Sequence, residues 1–148
     1  MKNIGIIGLG NMGLEMAKNL VKSNFVVSGY DSNPKILETL TKYGISAKNS
    51  LKNLTENNEI ILTMLPNGQI VKEVWLEIFK FIDENTLLID CSTIDVKTTK
   101  FLNAEATKLN IETLDAPVSG GTVGAKNATL TFMVGGKKEI FQSTLPIF

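Results

Sequence analysis

The chain has 148 residues, enough for one domain to bury a real core without metal or disulfide staples. Its 15 Lys and Arg residues balance 15 Asp and Glu residues, which leaves no basic footprint for nucleic acid or an anionic membrane. It has no histidine and a single cysteine, which excludes Ser-His-Asp and Cys-His nucleophiles, an internal disulfide and the commonest zinc ligands.

Apolar runs are only a few residues long, so no membrane span is expected, and the N-terminus enters a strand-like run with no signal or transit peptide ahead of it. A cytoplasmic location is the default. Ile4-Gly5-Ile6-Ile7 reads as a first strand buried on both faces, as parallel strands are. Met12 to Val21 carries Met12, Met16 and Leu20 on one helical face. Phe25 to Tyr30 is a second strand ending at Asp31. Asn33-Pro34 starts a helix expected to run to Tyr43 and stop at Gly44.

A short strand at Ile45 to Ala47 and a small helix capped by Ser50 follow. Glu59 to Met64 is strand, Val71 to Phe81 amphipathic helix, and Thr86 to Asp90 strand. Asp95 to Asn110 reads as helix and Ile111 to Ala116 as strand. Pro117 to Gly124 is a loop of small residues, Leu130 to Val134 a last strand, and the chain from Lys137 helix. Strands and helices alternating at this spacing predict an α/β fold, with a doubly wound, mainly parallel sheet and helices on both faces. Residues 1–148 read as one domain, with no internal boundary.

The strongest chemical signal is Gly8-Leu9-Gly10-Asn11-Met12-Gly13, between a predicted strand and a predicted helix. Gly8 permits a tight turn, Gly10 lets a pyrophosphate approach the backbone, and Gly13 lets the helix pack close to the sheet. The helix start offers free N–H groups to the phosphates. Asp31 ends the next strand, where an acid would accept the adenosine ribose hydroxyls. A carboxylate there favours NAD and repels the extra phosphate of NADP, and Ser32, Asn33 and Pro34 supply no compensating arginine.

Two more strand ends, Met64-Leu65-Pro66-Asn67 and Asp90-Cys91-Ser92-Thr93, fall on the edge where doubly wound sheets bind ligands. Ser92 and Thr93 suit either a helix cap ahead of Asp95 or a cofactor contact. Cys91, without a base beside it, reads as a small buried apolar residue. Ser119-Gly120-Gly121 presents a hydroxyl and unobstructed N–H groups suited to a carboxylate, or else is a ligand-free turn. No cluster of metal-ligating residues is visible.

Five ordered strings, GLGNMGLEMAKNL (8–20), TMLP (63–66), DCSTID (90–95), DAPVSGG (115–121) and LTFMVGG (130–136), resemble the β-hydroxyacid dehydrogenase family along nearly the whole chain. The resemblance implies NAD(P)-dependent oxidation of a short β-hydroxy acid, first of all 3-hydroxyisobutyrate, to its semialdehyde. Reduction of tartronate semialdehyde, glyoxylate or succinic semialdehyde is the near alternative. A sugar-phosphate substrate, as in 6-phosphogluconate dehydrogenase, is less favoured for want of a phosphate cluster.

By the same resemblance Gly8 to Gly13 and Asp31 hold the dinucleotide, with Met64, Leu65, Pro66 and Thr93 along its nicotinamide half. Ser119, Gly120 and Gly121 would hold the substrate carboxylate. The family's general acid/base is a lysine on a helix beyond this domain, followed by an all-helical domain and a homo-oligomer interface. No lysine here matches that motif, and Lys126 reads as solvated, so no catalytic residue is assigned in this chain. A stand-alone dinucleotide-binding module with a regulatory role is the reading from a different class.

Overall fold

The computed structural model describes residues 2–148. Its backbone is a seven-stranded sheet with helices on both faces, plus a two-stranded ribbon. The main strands are β1 (Asn3–Ile7), β2 (Val26–Tyr30), β3 (Ser46–Ala47), β4 (Ile60–Thr63), β5 (Leu87–Asp90) and β6 (Glu112–Asp115). They lie in the order β3-β2-β1-β4-β5-β6 and all run parallel. The strand order reverses between β1 and β4, and their carboxyl ends open a crevice there, the place where such sheets bind ligands.

Alternation along the strands divides the core in two. Ile4 and Ile6 of β1, Leu62 of β4 and Ile89 of β5 pack with Met16, Ala17 and Leu20 of α1 (Gly13–Lys22). On the other face Ile7, Ile61 and Leu88 pack with Leu54 of α3 (Leu51–Thr55), Val71, Trp75 and Ile78 of α4 (Gly68–Ile78), and Leu102 and Ala106 of α5 (Val96–Lys108). Strands apolar on both faces are what a parallel sheet covered on both sides requires. The doubly wound architecture read from the sequence is therefore the one observed.

Several elements differ in detail. The helix expected over Pro34 to Tyr43 is α2 (Pro34–Leu37) followed by a 3₁₀ turn over Leu40–Tyr43. The Thr39 hydroxyl donates to the Ile36 carbonyl at 2.8 Å, a local bond that competes with a continuous helix. The stop at Gly44 is as expected, with φ of 74°. Helix α4 starts at Gly68, one turn before the expected Val71, because the Asn67 side chain accepts the Ile70 N–H at 3.0 Å.

The small-residue loop after Pro117 is ordered as β7 (Val118–Ser119) and α6 (Gly121–Asn127). The single strand expected over Leu130 to Val134 is two short ones. The first, β8 (Thr131–Phe132), pairs with β7 in the ribbon, and the second, β9 (Gly135–Gly136), adds antiparallel to β6 at the sheet edge. Helix α7 (Lys138–Thr144) follows. Among the described residues no helix is long and apolar enough to cross a membrane.

Candidate functional site

The crevice is built from the turn that joins β1 to α1. Gly8 lies at φ of 89°, and a Cβ there would collide with the Met64 carbonyl after β4. A Cβ on Gly13 would collide with the Gly8 carbonyl, so only glycine lets α1 approach the strand this closely. Gly10 is different: it is exposed, and a Cβ on it would meet nothing within 4 Å. Two of the three glycines are thus required by the fold, and the third faces open space. Met12 at the start of α1 makes no side-chain cap bond, so the helix presents N–H groups and the positive end of its dipole to that space.

Asp31 leaves the end of β2 and reaches back over the turn. Its Oδ2 accepts the Leu9 N–H at 2.7 Å and its Oδ1 accepts the Asn33 N–H at 2.8 Å. The partly exposed carboxylate keeps lone pairs for further donors while it ties the glycine turn to the second strand. The chain after β4 closes the other side. The Met64 N–H donates to the Ile7 carbonyl at 2.9 Å, Leu65 is half-buried, and Pro66 is exposed. Gly8 to Gly13, Asp31 and Met64 to Pro66 therefore come together at one point of the sheet edge. Thr93, after β5 on the same edge, is exposed.

Neither Ser92 nor Thr93 caps α5. Asp95 does, its Oδ1 accepting the Thr98 N–H at 2.8 Å, and these bonds to Thr98 hold its carboxyl below the usual carboxylate range. Ser92 is instead wholly buried, and its Oγ accepts the Leu65 N–H at 2.9 Å. Cys91 is also wholly buried, and burial pushes its thiol well above its ordinary value, which makes it inert as a nucleophile.

Asp90 is the least expected member of the site. It is 4% exposed, and burial raises its carboxyl above the usual range against hydrogen bonds from Ser92 and Thr63 that lower it. Asp115, half-buried, is raised for the same reason. Both carboxyls line a cavity of about 460 Å³ between α5 and the sheet. The sequence shows Asp90 only as a strand end. Its pairing with Thr63 depends on the β4–β5 register, which no local pattern reveals.

Ser119, Gly120 and Gly121 lie on the ribbon and at the start of α6, and all three are exposed. Gly120 and Gly121 have φ of 132° and 61°. The Asn19 side chain of α1 donates to the Ala125 carbonyl at 2.6 Å, which fastens α6 to the helix of the glycine turn. Lys126 is exposed, as a solvated residue should be. Among the described residues no group of three or more His, Cys, Asp or Glu side chains could hold a metal.

Fold and crevice define a doubly wound nucleotide-binding domain, with an open position at Gly10 where a phosphate backbone contact fits. Residues 3–148 match the family described as the NAD binding domain of 6-phosphogluconate dehydrogenase, and the chain belongs to that family. It is 38% identical to the NAD-dependent L-serine dehydrogenase of Pseudomonas aeruginosa, over 100% of this chain and 51% of the relative. It is 39% identical to 3-hydroxyisobutyrate dehydrogenase from the same organism, over 99% of this chain and 50% of the relative.

Among solved structures, that of Mycobacterium tuberculosis 3-hydroxyisobutyrate dehydrogenase with L-serine superposes with a TM-score of 0.95 at 37% identity, covering 99% of this chain and 50% of that one. The chain spans about half the length of the curated relatives it matches. The kinship with β-hydroxyacid dehydrogenases read from the sequence holds for their N-terminal, NAD-binding half.

Proposed function

We propose that this chain is the cofactor-binding part of an NAD-dependent dehydrogenase that oxidises a short β-hydroxy acid. The observation that carries the reading is the glycine turn: Gly8 and Gly13 are locked by close backbone contacts, while Gly10 alone faces open space beside a helix start. Gly8 to Gly13 form the pyrophosphate turn: Gly10, Asn11, Met12 and Gly13 offer backbone N–H groups, Gly8 and Leu9 shape the turn through their bonds to Tyr30 and Asp31, and Asp31 accepts the adenosine ribose hydroxyls. Met64, Leu65, Pro66 and Thr93 flank the nicotinamide end. When bound, the nicotinamide supplies the hydride acceptor. Ser119, Gly120 and Gly121, exposed at the ribbon, hold the substrate carboxylate.

NAD is preferred to NADP because the Asp31 carboxylate would oppose a second phosphate and the next three residues carry no cation. 3-Hydroxyisobutyrate is the leading substrate, in keeping with the relatives of that name. L-Serine is the second reading, favoured by the serine dehydrogenase at 38% identity. Both are β-hydroxy acids, and the same carboxylate loop serves either. Proton transfer from the hydroxyl needs a base within hydrogen-bond reach. Asp90 is enclosed and already accepts the Thr63 and Ser92 donors, and Lys126 is exposed after the Ser-Gly-Gly loop, so neither is assigned that role.

Titration of the chain with NADH and NADPH tests the cofactor assignment. Tighter binding of NADH is expected; equal or tighter binding of NADPH would overturn it. Oxidation of 3-hydroxyisobutyrate and of L-serine, compared in the protein that carries this domain together with the remaining half, separates the two substrate readings.

A further inference from the structure

The chain after β4 leaves the sheet just where the proposed nicotinamide end lies, and its backbone donors show how it is held. Met64 still bonds to β1 through the Ile7 carbonyl. Pro66 has no N–H to give. Leu65 carries the one donor between them, and that donor goes to a side chain, Ser92 Oγ, at 2.9 Å. The direction in which Leu65 and Pro66 leave the sheet therefore depends on where the Ser92 hydroxyl stands.

Ser92 is in turn fixed from inside the protein. Its N–H donates to Asp90 Oδ1 at 3.1 Å, and the Thr63 hydroxyl donates to the same oxygen at 2.8 Å. Trp75 Nε1–H then donates to Thr63 Oγ1 at 3.1 Å. Trp75, Thr63, Asp90 and Ser92 are exposed by 3%, 1%, 4% and 0%, so the links are shielded from bulk solvent. The other Asp90 oxygen is buried with no hydrogen-bond partner among the described protein atoms.

We infer that Trp75, Thr63, Asp90 and Ser92 form a buried positioning relay that sets the Leu65–Pro66 backbone against the nicotinamide half of the cofactor. This rests on the cofactor placement proposed above. The relay touches only one end of the dinucleotide, so its loss should weaken binding of the whole cofactor and spare a fragment that lacks nicotinamide. A purely structural role would lower both affinities together.

The test compares NAD⁺ with ADP-ribose on the 148-residue chain and on Ser92→Ala. Loss of the one hydrogen bond to Leu65 should weaken NAD⁺ about threefold to tenfold, with ADP-ribose unchanged within about twofold. Trp75 is the only tryptophan and closes the far end of the relay. NAD⁺, but not ADP-ribose, should therefore shift its emission, and Ser92→Ala should remove that shift. Thr63→Val, which cuts the relay one link deeper at nearly constant volume, should give the same selective loss and stands in should Ser92→Ala fail to fold.

Equal loss for both ligands, no loss for either, or no shift of Trp75 emission specific to NAD⁺ would overturn the relay. Gly10→Val separates this from failure of the cofactor placement, since it should weaken both ligands. A folded Gly10→Val that binds both normally, or an unsubstituted chain that binds neither, would overturn the placement itself.

Discussion

The two glycine-rich loops at the carboxyl edge of the sheet are built in opposite ways. The turn from Gly8 to Gly13 is held at both ends: Gly8 donates to the Tyr30 carbonyl at 3.0 Å, Leu9 to Asp31, and both outer glycines are pressed against backbone. The Ser119 to Gly121 loop is exposed throughout and hangs on a ribbon of two-residue strands. A pyrophosphate needs backbone N–H groups that are fixed before it arrives, because order already present in the free protein is not lost again on binding. A loop that serves a small substrate can be finished by contacts from elsewhere. The contrast suits the proposed roles, cofactor binding at the first loop and substrate binding at the second.

The largest effect expected from that contrast is on turnover. With NAD⁺ and 3-hydroxyisobutyrate, this chain should be slower than the Pseudomonas aeruginosa 3-hydroxyisobutyrate dehydrogenase by at least about 10²–10⁴-fold, the usual contribution of a general acid/base. Steady-state NADH production measured side by side decides it. A rate within about tenfold of the relative would place a working base among these residues.

Next comes the open glycine. Gly10→Val should reduce NADH affinity by more than about tenfold, because the side chain would stand between the backbone and the pyrophosphate and cost a charge-assisted hydrogen bond of about 1.5–3 kcal/mol. The fold should persist, since the new Cβ meets nothing within 4 Å. Calorimetric titration beside circular dichroism checks both halves of that expectation.

Asp31→Ala should act more mildly, lowering NADH affinity about fivefold, or about 1 kcal/mol, and narrowing the preference over NADPH. Part of the loss would come through the Leu9 N–H, left without its acceptor. NADH affinity unchanged by the substitution would remove Asp31 from the site.

The smallest effect separates the rigid interior from the open edge through pH. Burial raises the folded-state values of Asp90 and Asp115 above the ordinary carboxylate value. The folded chain then binds more protons than the unfolded one between those values, so stability falls as pH rises through the raised values and is greatest below the unfolded one. Each carboxyl can contribute at most the about 1.4 kcal/mol per pH unit that one whole proton gives. Urea unfolding across this range should show a shallower slope in Asp90→Asn. An unchanged slope would mean that Asp90 does not titrate there.

Much of this molecule is legible along the chain. The order of strands and helices, the burial of β1 on both faces and the glycine turn with Asp31 follow from periodicity and spacing over short windows. There, a few neighbouring residues favour the backbone they adopt: a φ of 89° suits Gly8, and Asn33-Pro34 supplies the cap and first residue of a helix.

Tertiary structure decided the rest. The segment from Leu130 to Val134 has the pattern of one strand, yet its neighbours divide it between a ribbon with β7 and an edge with β6. Ser92 reads as a helix cap or a cofactor contact until the β4–β5 register sets Thr63 beside Asp90 and Leu65 beside Ser92. Twenty-seven residues separate the partners in each of those bonds. Local preference has no term for such a pairing. It exists only once the sheet has formed, because only then are two distant polar groups buried together with no water left to satisfy them.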